Sequence, residues 1–92
     1  MTLPAEPDPL KRDLGRHVFL IEMDDEPDAL LRALGPFALH DASVTGLALN
    51  RIGERLELRV EARGVDAEVA AHLGRKLGNL PIVRGVGLGW RS

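Results

Sequence analysis

The sequence predicts a single α+β domain with four strands and two helices in the order βαββαβ. Three observations support this fold class. One segment near the middle of the chain alternates strictly between apolar and charged residues, as a half-buried strand does. Two other segments, one before and one after this central region of the chain, carry apolar residues at helical spacing. The length of 92 residues suits one domain with one core.

The first fourteen residues are predicted to form a flexible arm, and residues 15–92 the folded domain. Three prolines alternate with acidic residues in the arm, a composition that favours extended polyproline conformations and buries little apolar area. The first strand is expected at residues 17–23, a short run rich in β-forming residues. Because this run is apolar on both faces, it is predicted to be a central strand.

The acidic segment after this strand has the composition of a helix start. Acidic side chains favour the positive end of the helix dipole, and Pro27 suits the first helical position. Apolar residues then recur at helical spacing: Leu30, Leu31, Leu34 and Phe37. Gly35 and Pro36 are expected to kink or shorten this helix, which should end near Asp41.

A β-hairpin is predicted to follow the first helix. Its strands are expected at residues 43–51 and 54–62, with a turn-rich link at residues 50–53. The second of these strands is the alternating segment. It places one set of residues on a buried face, Leu56, Leu58, Val60 and Ala62, and another on a solvated face, Arg55, Glu57, Arg59 and Glu61.

Asp66 is predicted to cap a second helix, and a fourth strand is predicted at residues 82–90. The helix carries one apolar stripe, formed by Val69, Leu73, Leu77 and Leu80. It should end where Gly78, Asn79 and Pro81 accumulate. On the last strand, three glycines share one face, Gly85, Gly87 and Gly89, and the other face carries Val86, Leu88 and Trp90. Trp90 is expected to cover the core.

This order of elements predicts a ferredoxin-like sandwich, a four-stranded antiparallel sheet with both helices on one face. Several function classes are disfavoured by composition. The 12 basic and 14 acidic residues form no basic block, so neither nucleic acid nor a membrane is an expected partner. The chain has no cysteine, which excludes disulfides and thiolate sites. A cytoplasmic location is expected, because no apolar targeting segment or membrane span is recognisable.

No catalytic, metal or cofactor site is expected. The three histidines, His17, His40 and His72, have no metal-ligand spacing. Neither serine lies in a nucleophile motif. The acidic cluster near Pro27 lacks the glycine of a calcium-binding loop. RNA recognition would need aromatic side chains on the central strands, and the chain contains only two phenylalanines, one tryptophan and no tyrosine.

Two segments of the chain match, in register, the pattern of a known family. The first is DDEPDALLRALGPFALHDASVTGLAL, in which Leu30, Arg32, Gly35 and Phe37 carry the match. The second comprises ERLEL at residues 54–58 and RKLGNLPIV at residues 75–83. These segments resemble the ACT family of small-molecule sensing modules, and more narrowly the small regulatory subunit of acetolactate synthase. The resemblance covers the chain from about residue 17 to residue 90.

The resemblance implies a non-catalytic regulatory module in amino-acid metabolism. It places an amino-acid ligand where the turn after the first strand meets the start of the second strand, usually across a dimer interface. The implied ligand-binding residues are Asp25, Asp28, Ala29, Ser43 and Val44. Asp28 occupies the position of a family glycine, and Asp25 and Ser43 stand where asparagines are expected. A carboxylate there opposes capture of the ligand's carboxylate.

The expected partners are a second copy of the chain, paired edge to edge, and a catalytic subunit such as the large subunit of acetolactate synthase. Two exposed sheet edges brought together would satisfy their backbone groups, which favours a homodimer. An alternative function is a protein–protein interaction adaptor that has the same fold and binds no ligand. The family also includes members that activate their large catalytic subunit without sensing valine, and the sequence fits that behaviour at least as well.

Overall fold

The computed structural model describes residues 16–91, with side chains through residue 89. The predicted proline-rich arm, residues 1–14, lies outside the described residues. The elements follow the predicted order: β1 (Arg16–Asp24), α1 (Ala29–Leu39), β2 (Ser43–Ile52), β3 (Arg55–Arg63), α2 (Ala67–Gly78) and β4 (Val83–Arg91). The described residues therefore form the predicted α+β sandwich.

The four strands form one antiparallel sheet in the order β2-β3-β1-β4. The apolar strand β1 is central, as its sequence predicts, and β2 and β4 are the two edges. The predicted alternation on β3 is confirmed, since Leu56, Leu58, Val60 and Ala62 are all buried. The β2–β3 hairpin is also confirmed. Its turn is Gly53-Glu54 rather than residues 50–53, because the strands pair as far as Ile52 opposite Arg55.

The core lies between the sheet and the helices. Phe19 of β1 and Phe37 of α1 are fully buried and meet edge to face, with ring centroids 5.0 Å apart and ring planes at 89°. This geometry is favourable for aromatic pairs because the positive edge of one ring faces the negative face of the other. The contact fixes α1 against the centre of the sheet.

Helix α1 departs from the predicted pattern in two ways. It continues through Gly35 and Pro36 to Leu39, so the expected shortening is wrong. Pro36 cannot donate to the carbonyl four residues earlier, yet the helix persists because Phe37, in the following position, is anchored in the core. The buried face is formed by Ala29, Ala33 and Phe37, and the predicted apolar residue Leu31 is 73% exposed.

Helix α2 begins as the sequence predicts. The carboxylate of Asp66 accepts a hydrogen bond from the backbone N–H of Val69 at 2.8 Å, which is an N-cap. Leu73 and Leu77 are fully buried, and Val69 and Leu80 pack against the core from its margin. Ala70 completes the buried stripe, which the sequence pattern had not singled out.

Candidate functional site

The turn between β1 and α1 contains the acidic residues that the sequence identifies. Asp24, at the end of β1, accepts hydrogen bonds from Nε and Nη2 of Arg84, both at 2.9 Å. Arg84 is available for this contact because β4 bulges there, with Gly85 opposite Glu22 and Val83 opposite Met23. The Arg84 hydrogen bond holds the pKa of Asp24 below its ordinary value of 3.8. Asp24 thus joins β1 to β4.

Asp25 and Asp28, the two acidic residues of the turn that the family resemblance implies as ligand-binding, also contact arginines. Asp25 lies 3.0 Å from Nε of Arg51, near the end of β2. Asp28 lies 2.9 Å from Nε of Arg32, one helical turn further along α1. The turn therefore presents paired carboxylates and guanidinium groups rather than a bare acidic cluster. Sequence reasoning missed Arg51, because only the β2–β3 hairpin brings this distant residue to the turn.

The backbone of the turn is already hydrogen-bonded. The N–H of Ala29, which is buried, donates to the carbonyl of Glu26 at 3.1 Å. The carbonyl of Asp28 accepts from the N–H of Arg32 at 3.0 Å. Among the described residues, Asp28 stands at the N-cap position without a capping side-chain hydrogen bond. A ligand carboxylate would have to displace the Glu26 carbonyl to reach the Ala29 amide.

Ser43 and Val44 lie at the opposite end of the sheet from this turn. Val44 pairs with Ala62, which in turn pairs with His17 at the beginning of β1. Arg51, beside the turn, is seven residues further along β2, a separation of about 24 Å at the rise of an antiparallel strand. One chain therefore brings together Asp25, Asp28 and Ala29 but leaves Ser43 and Val44 remote from them.

The edge strand β2 carries exposed apolar side chains on the helix side of the sheet. Val44, Leu47 and Leu49 pair with buried residues of β3 and so share their face. They remain 41%, 45% and 40% exposed, because the helices cover the central strands more than this edge. Exposed apolar residues along an edge strand are typical of a surface that another chain covers.

The opposite face of the sheet contains a shallow cavity of about 320 Å³ beside β4. The predicted orientation of the β4 residues is confirmed by the register, which places Gly87 opposite Leu20 on this open face and Leu88 opposite Phe19 on the helix side. A Cβ added at Gly87 would lie 3.7 Å from Cβ of Leu20, an ordinary contact. Packing within the chain thus leaves room for alanine there. The predicted role of Trp90 lies outside the described side chains.

Residues 16–91 contain no cluster of metal ligands and no helix suited to span a membrane. Within that range no group of three or more histidine, aspartate or glutamate side chains is placed to hold a metal ion. The same part of the chain has no helix that combines the length and apolar character needed to cross a membrane.

Comparison with known proteins identifies the fold. A scan against protein-family models and a search of curated proteins give no match. The ACT domain of GTP pyrophosphokinase from Chlorobium tepidum is similar in structure, with a TM-score of 0.71 and 15% sequence identity over 82% of this chain and 97% of that one. The C-terminal domain of the MgtC protein from Mycobacterium tuberculosis also gives 0.71 and 15%, covering 86% and 89%.

A third similar structure is a much larger enzyme. Homoserine dehydrogenase from Thiobacillus denitrificans gives a TM-score of 0.64 at 14% identity, with 83% of this chain matched to 17% of the enzyme. At these identities the similarity shows a shared fold. The described residues have the ferredoxin-like fold of ACT domains.

Proposed function

We propose that the chain is a non-catalytic regulatory module of the ACT type, which acts as a homodimer on a catalytic partner in amino-acid metabolism. The fold shared with ACT domains and the two in-register sequence segments support this proposal. The observation that carries it is the edge strand β2, where Val44, Leu47 and Leu49 leave an apolar face partly exposed. A second copy, whose own β2 edge presents the same apolar side chains, is the occupant that we propose for this edge.

Pairing of two β2 strands explains the dispersed site residues. Two copies related by a two-fold axis would pair these strands antiparallel, joining the two sheets into one. The start of β2 in the second copy, with Ser43 and Val44, would then lie near the end of β2 in the first, where Arg51 contacts Asp25. Such a dimer would assemble the proposed ligand site from both chains.

The proposed ligand is an amino acid. The aspartates of the turn would repel a ligand carboxylate. Arg32 of α1 and Arg51 of β2 offset this repulsion, because they bring positive charge to the place where the carboxylate would bind. A ligand carboxylate would compete with Asp25 and Asp28 for these guanidinium groups. We therefore expect weak binding in the wild-type chain.

The Asp28→Gly variant tests the ligand. It removes the carboxylate that occupies Arg32, so amino-acid binding should become tighter, as measured by isothermal titration calorimetry with a panel of branched-chain and other amino acids. The Asp66→Asn variant is a suitable control, since Asp66 caps the other helix. If neither the wild-type chain nor Asp28→Gly binds any amino acid, the ligand-free adaptor becomes the better explanation.

A pair of matched variants tests the dimer. Leu47 on β2 and Leu88 on β4 are both leucines on the helix side of an edge strand, exposed to 45% and 47%. Burial of the exposed part of Leu47 is worth about 1 kcal/mol per chain, since full burial of a leucine contributes about 1.5–3 kcal/mol. Leu47→Lys changes two side chains per dimer and should raise the dimer dissociation constant at least about 30-fold.

Sedimentation equilibrium over a range of protein concentrations measures this constant. Leu88→Lys should leave it unchanged, because β4 forms the other edge of the sheet. Dissociation by Leu88→Lys alone would show that β4 forms the interface, and a monomeric wild-type chain would contradict the dimer altogether. Co-purification of a catalytic subunit, with an acetolactate synthase large subunit as the first candidate, tests the proposed partner separately.

A further inference from the structure

The side chains of His40 and His72 meet on the surface of the helical layer, although they are far apart in the sequence. Their ring centroids are 5.2 Å apart and the ring planes stand at 83°. His40 is the C-cap residue that follows α1, and His72 lies in the middle of α2. His40 is half-buried and His72 is exposed, so both rings are accessible from solvent.

We propose that His40 and His72 form a chelating site for a divalent transition-metal ion such as Zn²⁺. A tetrahedral Zn²⁺ bound to two imidazole nitrogens at about 2.0–2.1 Å holds the ring centres about 5 Å apart. The observed spacing of 5.2 Å matches this distance, and the edge-to-face rings would have to reorient so that one nitrogen of each faces the ion. Imidazole is a ligand that suits Zn²⁺, Ni²⁺ and Cu²⁺ alike.

Acidic groups and a helix dipole near the pair favour a cation, and basic groups on α2 oppose it. The C-terminal end of α1, where His40 lies, carries the negative end of the helix dipole. Asp41 follows His40 directly, and Glu68 lies one turn before His72 on α2. Arg75 and Lys76 lie one turn after His72 and oppose a cation. Because the described residues include no third ligand in place, water would complete the coordination shell. The site is therefore weaker than one with three or four protein ligands.

A metal ion here would join the end of α1 to the middle of α2. The chain passes from His40 through Asp41 and Ala42 into β2, so the ion would restrain the corner at which the proposed dimer strand begins. This site goes beyond the proposed function and shares no residue with the proposed amino-acid site. Absence of metal binding would leave the dimer and the amino-acid ligand untouched.

The test is a titration of the full chain, without a histidine tag, with ZnCl₂ at pH 7.5. Nitrogen-15 NMR of the imidazole rings should show His40 and His72 shifting together and saturating at one ion per chain, while the buried His17 remains unchanged. The melting temperature should rise with Zn²⁺, by on the order of 10 °C when the free ion exceeds the dissociation constant about 100-fold.

Two single variants and a matched control complete the test. His40→Gln and His72→Gln each remove one ligand and should each abolish the saturable shift of the remaining histidine. Leu31→Gln, at an exposed position on α1 nine residues before His40, should bind Zn²⁺ like the wild-type chain. An aromatic contact without a metal function predicts a different result: no saturable imidazole shift in the wild-type chain, or one that survives either histidine substitution. Either result would overturn the proposal.

Discussion

The end of helix α1 offers a sharp test of the structure, because a residue with a side chain occupies a position that favours glycine. Asp41 has φ of 54°, in the left-handed region. Its N–H donates to the carbonyl of Ala38 at 3.2 Å, and the N–H of Ala42 donates to the carbonyl of Phe37 at 3.0 Å. These bonds form the Schellman motif, in which glycine is the usual left-handed residue. Asp41→Gly should therefore stabilise the domain.

Three contributions set the magnitude. An L-residue in the left-handed conformation costs about 1–2 kcal/mol, with aspartate among the better tolerated. Removal of the carboxylate from the negative end of the helix dipole should gain about 0.3–1 kcal/mol. Glycine costs about 0.4–1 kcal/mol of stability, because it increases the conformational freedom of the unfolded chain. The expected net gain is about 1 kcal/mol, or a rise of about 4–8 °C in melting temperature for a domain of this size.

Urea denaturation at one fixed protein concentration measures this change, since a dimer would make stability depend on concentration. Asp41→Asn keeps the tolerance for left-handed backbone and removes only the charge, so it should recover a few tenths of the gain. Ala38→Gly places glycine at an exposed position inside the same helix and should cost about 1 kcal/mol. If Asp41→Gly destabilised the domain as Ala38→Gly should, residue 41 would not be left-handed in solution, and the reasoning would be refuted.

Two further predictions concern the cap of α2 and the ion pair between β1 and β4. Asp66→Ala should lower the free energy of unfolding by about 1 kcal/mol through loss of the 2.8 Å bond to Val69, whereas Asp66→Asn should be nearly neutral; urea denaturation distinguishes them. Arg84→Gln should destabilise the domain at neutral pH, because the hydrogen bond from Arg84 lowers the pKa of Asp24. The stability linked to this shift is present at pH values above 3.8, the ordinary pKa of Asp24, and is lost as the pH falls through the lower folded-state pKa. The difference in unfolding free energy between wild type and Arg84→Gln should vanish in strong acid, and the carboxyl carbon NMR titration of Asp24 should move towards 3.8 in the variant. An unchanged titration would show that Arg84 does not contact Asp24 in solution.

Local patterns in the sequence were sufficient to predict the elements. The alternation from Arg55 to Ala62 reports one buried and one solvated face directly, so β3 and its orientation could be predicted from side-chain type alone. Asp66 and the leucine stripe of α2 depend only on neighbours within the helix, and their predicted roles are confirmed. Pro36 was misleading because local propensity disfavours a helix there, while burial of Phe37 in the core supports it.

The candidate site depends on contacts that no local pattern contains. The amino-acid sequence by itself determined the order of strands and helices, the buried faces of β3 and α2, and the acidic character of the turn after β1, because these follow from the spacing and type of neighbouring residues. Only the tertiary structure decided that Arg51 and Arg84 reach that turn, that Ser43 and Val44 lie at the other end of the sheet, and that His40 meets His72. The physical reason is that strand register and helix packing set these distances, and both depend on how the whole core closes.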